Sequence, residues 1–282
     1  MRIVDSHQHF WSLSAPWFDW PTPDLEPIYR DYAASDLLPR IEAAGVSKTV
    51  IVQVAPNLED TTFILGIADR TDFVAGVVGW IDLEQPGHLA DLERFADNPK
   101  FRGIRPMIQS IPDVNWMLRP GLQPSLAAVE RMGLTFDALV KPPHLEALVA
   151  FVDRYPNLPM VVDHGAKPEI ARGQDGFDAW ADGIAAVAER PQVLCKLSGL
   201  LTEAGERTGT EDLRPFVDHL IEVFGPQRLM WGSDWPVVEL AAPYSGWLDQ
   251  ARVLVARLSE SEQKLILGDV AHTFYRLHEE RS

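Results

Sequence analysis

Short apolar, β-branched runs recur along the chain, separated by longer stretches in which apolar residues return every three to four positions. The runs are Ile3–His7, Thr49–Val54, Val74–Trp80, Gly103–Met107, Thr135–Val140, Met160–His164, Val193–Leu197 and Arg228–Gly232, and each predicts a strand. Between them, Leu145–Tyr155 sets Leu145, Leu148, Val149 and Val152 on one helical face, and Leu213–Phe224 does the same with Phe216, Val217, Leu220, Ile221 and Phe224. Trp180–Ala188 follows the same period. Gly45, Gly133 and the pair Gly225-Pro226 end helices, because glycine takes the left-handed cap and proline cannot continue a helix. After the eighth run, Ser245–Leu258 and Glu260–Tyr275 predict two more helices, with Ser259 and Glu262 at capping-box spacing. These last helices are expected to close an outer ring.

Eight strands alternating with helices predict an α/β protein, a closed (β/α)8 TIM barrel. A doubly wound sheet would carry a Gly-rich phosphate turn after an early strand, and neither GxGxxG nor GxxxxGK[ST] occurs. At 282 residues the chain matches the roughly 250 of such a barrel, so one domain over residues 1–282 suffices. Two irregular stretches remain, Gln109–Gln123 and the Trp- and Pro-rich Trp11–Glu26, which predicts a lid over the strand ends.

Charge narrows the partners. The 25 basic and 41 acidic residues leave a net charge of −16, which argues against nucleic acid and anionic membrane surfaces. The chain has no apolar run long enough to span a membrane and no signal-peptide pattern, and its single cysteine, Cys195, cannot form an internal disulfide. A cytoplasmic protein is expected, and a homo-oligomer is compatible with all of this.

In a barrel of this kind the chemistry gathers at the C-terminal ends of the strands. The first strand ends in Asp5-Ser6-His7-Gln8-His9, whose i, i+2 spacing puts both imidazoles on one side of an extended chain. The sixth delivers His164 and the eighth Asp234, in Trp231-Gly232-Ser233-Asp234-Trp235. Together His7, His9, His164 and Asp234 suit one divalent cation, with imidazole nitrogen and carboxylate oxygen as ligands.

The segments MRIVDSHQHFW, FRGIRPMIQ, VVDHGAKP, CKLSGL, RLMWGSDWPV and HTFYRL, spread from residue 3 to residue 277, resemble the amidohydrolase superfamily and, within it, the sugar-lactonase branch. The resemblance implies an amidohydrolase-like barrel that opens a sugar-acid lactone, with water attacking the carbonyl and Asp234 as the base. It implies His7, His9, His164 and Asp234 as ligands of at most one metal, zinc first among the candidates. Binuclear members carry a further His where this chain has Cys195-Lys196-Leu197-Ser198. Some lactonase relatives use no metal, so metal and metal-free versions both stay open, the latter with the imidazoles donating to the oxyanion. A nonhydrolytic decarboxylase and a non-catalytic sugar-acid binding barrel are the alternatives.

Other strand-end residues are candidates for holding substrate. Arg105 could grip a carbonyl or carboxylate bidentately, or brace the rim as an ion pair. Lys141 and His144 follow the fifth strand, although His144 also fits a helix N-terminus. Lys196 could reach the ring oxygen or a hydroxyl, and a pairing with a neighbouring Asp would leave the same trace. Gln53, Trp80, Trp235 and the Trp17/Trp20 loop could wall a sugar pocket.

Overall fold

The computed structural model describes residues 2–277. Eight parallel strands form one sheet in chain order: β1 (Ile3–Gln8), β2 (Val46–Val52), β3 (Val74–Gly79), β4 (Phe101–Ile104), β5 (Thr135–Ala138), β6 (Met160–Val162), β7 (Val193–Leu197) and β8 (Leu229–Trp231). Each successive pair is parallel. The edges meet just past the strand ends, where the Asp234 amide donates to the His7 carbonyl at 2.8 Å and the His9 amide to the Trp235 carbonyl at 2.7 Å. The barrel is therefore sewn shut by the backbone of the residues singled out for chemistry.

The predicted strands overrun the observed ones at their C-terminal ends, except β1, which is longer, and β7, which matches. β6 stops at Val162 because His164 and Gly165 turn left-handed at φ +54° and +58°, which ends the ladder and swings the imidazole over the mouth.

Helices α1 (Ala34–Ala44), α2 (Leu58–Ala68), α3 (Leu89–Ala96), α4 (Gln123–Arg131), α5 (Leu145–Arg154), α6 (Gln174–Ala188), α7 (Thr210–Phe224) and α8 (Tyr244–Val255) surround the strands. Their apolar stripes, such as Phe216, Leu220 and Phe224 of α7, join Cys195, Leu197 and Trp231 from the outward faces of the strands in the large core. A smaller cluster fills the barrel interior and includes Val4, Val50, Val52, Val78, Val161 and Met230.

The C-terminal segment departs from expectation. Instead of one helix in the outer ring, it runs as α9 (Glu260–Lys264), a π-helical turn (Leu265–Asp269) and α10 (Val270–Phe274). The capping box forms as the spacing predicts, with the Ser259 hydroxyl accepting from the Glu262 amide. Val270, Ala271, Tyr275 and Leu277 then pack into the interior cluster, and the Arg276 guanidinium donates to the Gly133 carbonyl just ahead of β5. The segment is a plug in the N-terminal mouth of the barrel. Gly268 permits it, since a Cβ there would lie 2.4 Å from the Arg2 carbonyl oxygen.

Candidate active site

Four strand-end side chains converge on one point. His9 Nε2 is 3.2 Å, His7 Nε2 3.7 Å and His164 Nε2 3.9 Å from Asp234 Oδ1. All four are nearly sealed from solvent, Asp234 being 5% exposed.

The backbone that presents them is unusual. Asp234 and His164 both adopt positive φ, +57° and +54°, a conformation sparsely used by residues other than glycine. Asp234 is seated by its neighbours: the Ser233 amide donates to Asp5 Oδ1 at 2.8 Å, and the Tyr244 hydroxyl donates to Asp5 Oδ2 at 3.0 Å. Burial lifts the Asp5 carboxyl to about 6 against the opposing pull of these bonds. His164 is held by Ser198 Oγ, 2.8 Å from its Nδ1, which leaves Nε2 facing the cavity. His9 Nδ1 lies 2.8 Å from the Val52 carbonyl oxygen; a carbonyl only accepts, so this nitrogen carries the proton and Nε2 offers a lone pair.

Electrostatics separate the four. Burial alone would raise the Asp234 carboxyl, but the ring of imidazoles around it, His164 first, outweighs burial and holds the acid well below the usual carboxylate range. Burial pushes His164 down to about 4. Burial and the Lys196 ammonium push His7 far below the ordinary imidazole value. The arrangement is thus an ionised carboxylate facing two neutral imidazoles, a base beside hydrogen-bonding partners.

A cavity of about 540 Å³ opens above this point. His9, His164, Asp234 and Arg105 form its floor, and Asp19, Trp20, Gln109 and Lys167 stand among the walls. Arg105 lies where the sequence places it, with Nη1 3.2 Å from His7 Nε2 and 3.6 Å from Asp163 Oδ2, and with Nη2 donating to the Gln53 carbonyl. It both faces the cavity and braces the rim. The Trp11–Glu26 loop contributes Asp19 and Trp20 to the walls, as a lid would.

The remaining expected substrate contacts are not among the cavity-lining residues. Lys196 is fully buried beneath the floor, 2.7 Å from Asp137 and 2.9 Å from Asp163, so it pairs with carboxylates and not with a ligand. Gln53 is also fully buried and donates to the Arg105 carbonyl at 2.8 Å. His144 caps its own turn through the Lys141 amide, and the Lys141 side chain points to solvent. Trp235 is buried with its indole N–H on Glu239, and Trp80 leans on His88, ring centroids 6.2 Å apart. The lining residues Gln109 and Lys167 were not singled out. The signals for them were present in the irregular stretch after the fourth strand and in the third residue after His164.

A protein-family model described as Amidohydrolase matches residues 4–277. The chain belongs to the amidohydrolase family. This amidohydrolase is 45% identical over 278 residues to an L-fucono-1,5-lactonase of Burkholderia ambifaria, covering 97% of this chain and 95% of that protein. It is 36% identical to an L-fucono-1,5-lactonase of Burkholderia multivorans, covering 98% and 96%. A crystal structure of an amidohydrolase from Burkholderia multivorans with bound zinc superposes with a TM-score of 0.92 at 33% identity, covering 99% of this chain and 100% of the other.

The donor set of this amidohydrolase fits one divalent ion. Ligand atoms of His7, His9 and Asp234 all lie within 4.8 Å of one another. The His9 Nε2 lone pair and Asp234 Oδ1, two acceptors, face each other at 3.2 Å, a repulsion that a cation or a shared proton relieves. Imidazole nitrogen with carboxylate oxygen is a zinc-type set. His7 can join it only with its proton on Nδ1, the nitrogen that stands 3.6 Å from Asp163 Oδ1 and 3.0 Å from Lys196 Nζ.

Proposed function

We propose that this amidohydrolase hydrolyses a sugar-acid lactone, and that L-fucono-1,5-lactone is the first substrate to try. The observation that carries the reading is the ionised Asp234 carboxylate set among His7, His9 and His164 on the floor of a cavity sized for a small molecule. Two full-length relatives named for that lactone support it. The absence of a His after β7 and these relatives favour hydrolysis over decarboxylation.

In this reading a water lies against Asp234, which takes its proton as the oxygen bonds to the lactone carbonyl carbon. The carbonyl oxygen becomes an oxyanion facing the imidazoles and the Arg105 guanidinium, and each well-placed donor there is worth on the order of 3 kcal/mol. The acyl–oxygen bond then breaks, and the proton held by Asp234 passes to the departing ring oxygen, giving a hydroxy acid. When bound by His9, Asp234, His164 and His7, a divalent ion supplies Lewis acidity toward the carbonyl and lowers the pKa of water. Asp19, Gln109 and Lys167 are placed to receive the sugar hydroxyls. The buried, unpaired Cys195 suits a reducing compartment, and we assign the protein to the cytoplasm on that ground.

A pH-indicator assay over aldono-1,4- and 1,5-lactones tests the reading, because ring opening releases an acid. The expected outcome is turnover of one sugar series well above the spontaneous rate; repetition after chelation reports whether the ion is required. A panel with no turnover, together with carbon dioxide released from aromatic acids, would replace hydrolysis by decarboxylation.

A further inference from the structure

The Glu203 carboxylate lies outside the cavity lining, and the hydrolysis described above does not use it. It answers the charge of a residue that does line the cavity. His164, Gly165, Ala166 and Lys167 all take positive φ, at +54°, +58°, +62° and +51°, and the Lys167 amide donates back to the His164 carbonyl at 2.8 Å, so the chain makes one left-handed turn. Three of these residues carry a Cβ, for which that conformation is costly. The turn brings Lys167 to the cavity wall. There its Nζ donates to Glu203 Oε1 at 2.8 Å, with 19% and 24% of the two side chains exposed. Glu203 ends a short 3-10 turn after β7, Leu201–Glu203, fixed by the burial of Leu201 and Ala204.

An ion pair within reach of water adds little to stability. What this one changes is the charge that a ligand meets. Of the two Lys and Arg side chains in the lining, Arg105 is engaged at the floor with Asp163 and the Gln53 carbonyl, and in the lactonase reading it serves the reacting carbonyl. Lys167 is left for the rest of the ligand, and Glu203 balances it. Asp19 on the lid lines the same cavity, so these three side chains together carry a net negative charge. An ammonium has three hydrogens; with one on Glu203, a sugar hydroxyl can still accept another, and Asp19 can accept from a hydroxyl. A ligand carboxylate gains far less, because the cation it needs is already matched and a further carboxylate stands in the wall.

We propose that Glu203 is a specificity-determining residue: by neutralising Lys167 it makes the cavity accept lactones of uncharged sugar chains and turn away those whose chain ends in a carboxylate. The proposal rests on the lactonase reading for the ring that is opened, but not for the ligand charge that the wall admits.

The test compares kcat/KM for an aldono-1,4-lactone that wild type opens with that for the aldaro-1,4-lactone of the same configuration, beginning with L-galactono-1,4-lactone and L-galactaro-1,4-lactone, which differ only in a hydroxymethyl or a carboxylate at the chain end. Wild type is expected to favour the uncharged lactone; a preference for the charged one overturns the proposal. Glu203→Gln keeps the side-chain shape and uncovers the ammonium, and it is expected to raise the charged-to-uncharged ratio about fivefold. A rise below about threefold overturns the proposal. Adding Lys167→Gln to that variant is expected to bring the ratio back under the same threshold; a ratio that stays above it shows that the ammonium is not what Glu203 masks, and overturns the proposal too. Should Glu203→Gln fail to fold, Glu203→Ala takes its place and is judged in the same way. If wild type opens no lactone, the lactonase reading fails on its own. The affinity for galactarate relative to L-galactonate, measured by calorimetry on wild type and on Glu203→Gln, then decides the proposal by the same threshold, and binding of neither acid to either protein overturns it.

Discussion

Asp234 holds a left-handed backbone and a carboxyl kept ionised by its imidazole neighbours, so little other than the charge can be altered there without moving the group. Asp234→Asn keeps the shape and removes the proposed base. Turnover is expected to fall by about 10² to 10⁴, with the unfolding midpoint close to wild type; steady-state kinetics near wild type would sink the assignment. Gly199 offers a second test, through space. It sits at φ +61°, and a Cβ there would lie 2.5 Å from His164 Nδ1. Gly199→Ala is expected to lose stability by about 1–3 kcal/mol and to lose turnover by more than tenfold, read by urea unfolding and by kinetics; wild-type turnover would mean that His164 does not need this seat. The four converging side chains, His7, His9, His164 and Asp234, were legible because polar residues that end apolar runs have one place to go in a barrel. Lys196 shows the limit of that rule. Alternation with the outward-facing Cys195 gives its direction correctly, but direction says nothing of depth, and one step back from the end of β7 puts it under the floor.

Elements were legible as kinds more than as boundaries. Strand ends were overrun at the site because the residues that leave the ladder there are still apolar or β-branched, and the left-handed turns that pull them away depend on contacts remote in sequence. α2 shows how a helix start can serve the cavity. Its Asp60 is fully buried and accepts from the Val54 and Ala55 amides at 2.7 and 2.9 Å, bending the chain after β2 so that Val54 reaches the wall. Burial raises this carboxyl from 3.8 to about 6, against the pull of those two bonds. Between those values the native state binds more protons than the unfolded chain, so this group lowers stability as pH rises from about 4 to about 6. Asp60→Asn removes that titration. Urea unfolding of both proteins at pH 4.5 and pH 7.5 is expected to show the wild type losing on the order of 2 kcal/mol relative to the variant across the interval; a difference that does not move with pH would refute the account. The lid was legible from its tryptophans and prolines, which are too apolar for a free loop.

At the scale of the whole molecule, alternation and length were enough for the barrel, and they missed what fills its lower mouth. The C-terminal pattern is helical in either place, and only the close approach of Gly268 to Arg2 and the inward turn of Leu277 separate a plug from a ring helix. Leu277→Ala is expected to cost about 2–4 kcal/mol in urea unfolding, whereas an outer-ring side chain at the frayed end of a helix would cost far less. The charge picture also tightens: with Lys196 sealed off and Lys141 in solvent, the Lys and Arg side chains lining the cavity are Arg105 and Lys167, the latter paired with Glu203 at 2.8 Å, and Asp19 and Asp234 line the same cavity. No helix among the described residues is long and apolar enough to cross a membrane. The plug has a consequence in time. A ribosome makes the eight strands first, and the segment that fills their open floor, and touches Asp137 of the cluster under His7 through the Tyr275 hydroxyl, comes after all of them. During synthesis the nascent barrel therefore carries a ring of interior valines without their cover, and the side chains behind the floor of the site take their final places only once Tyr275 has arrived.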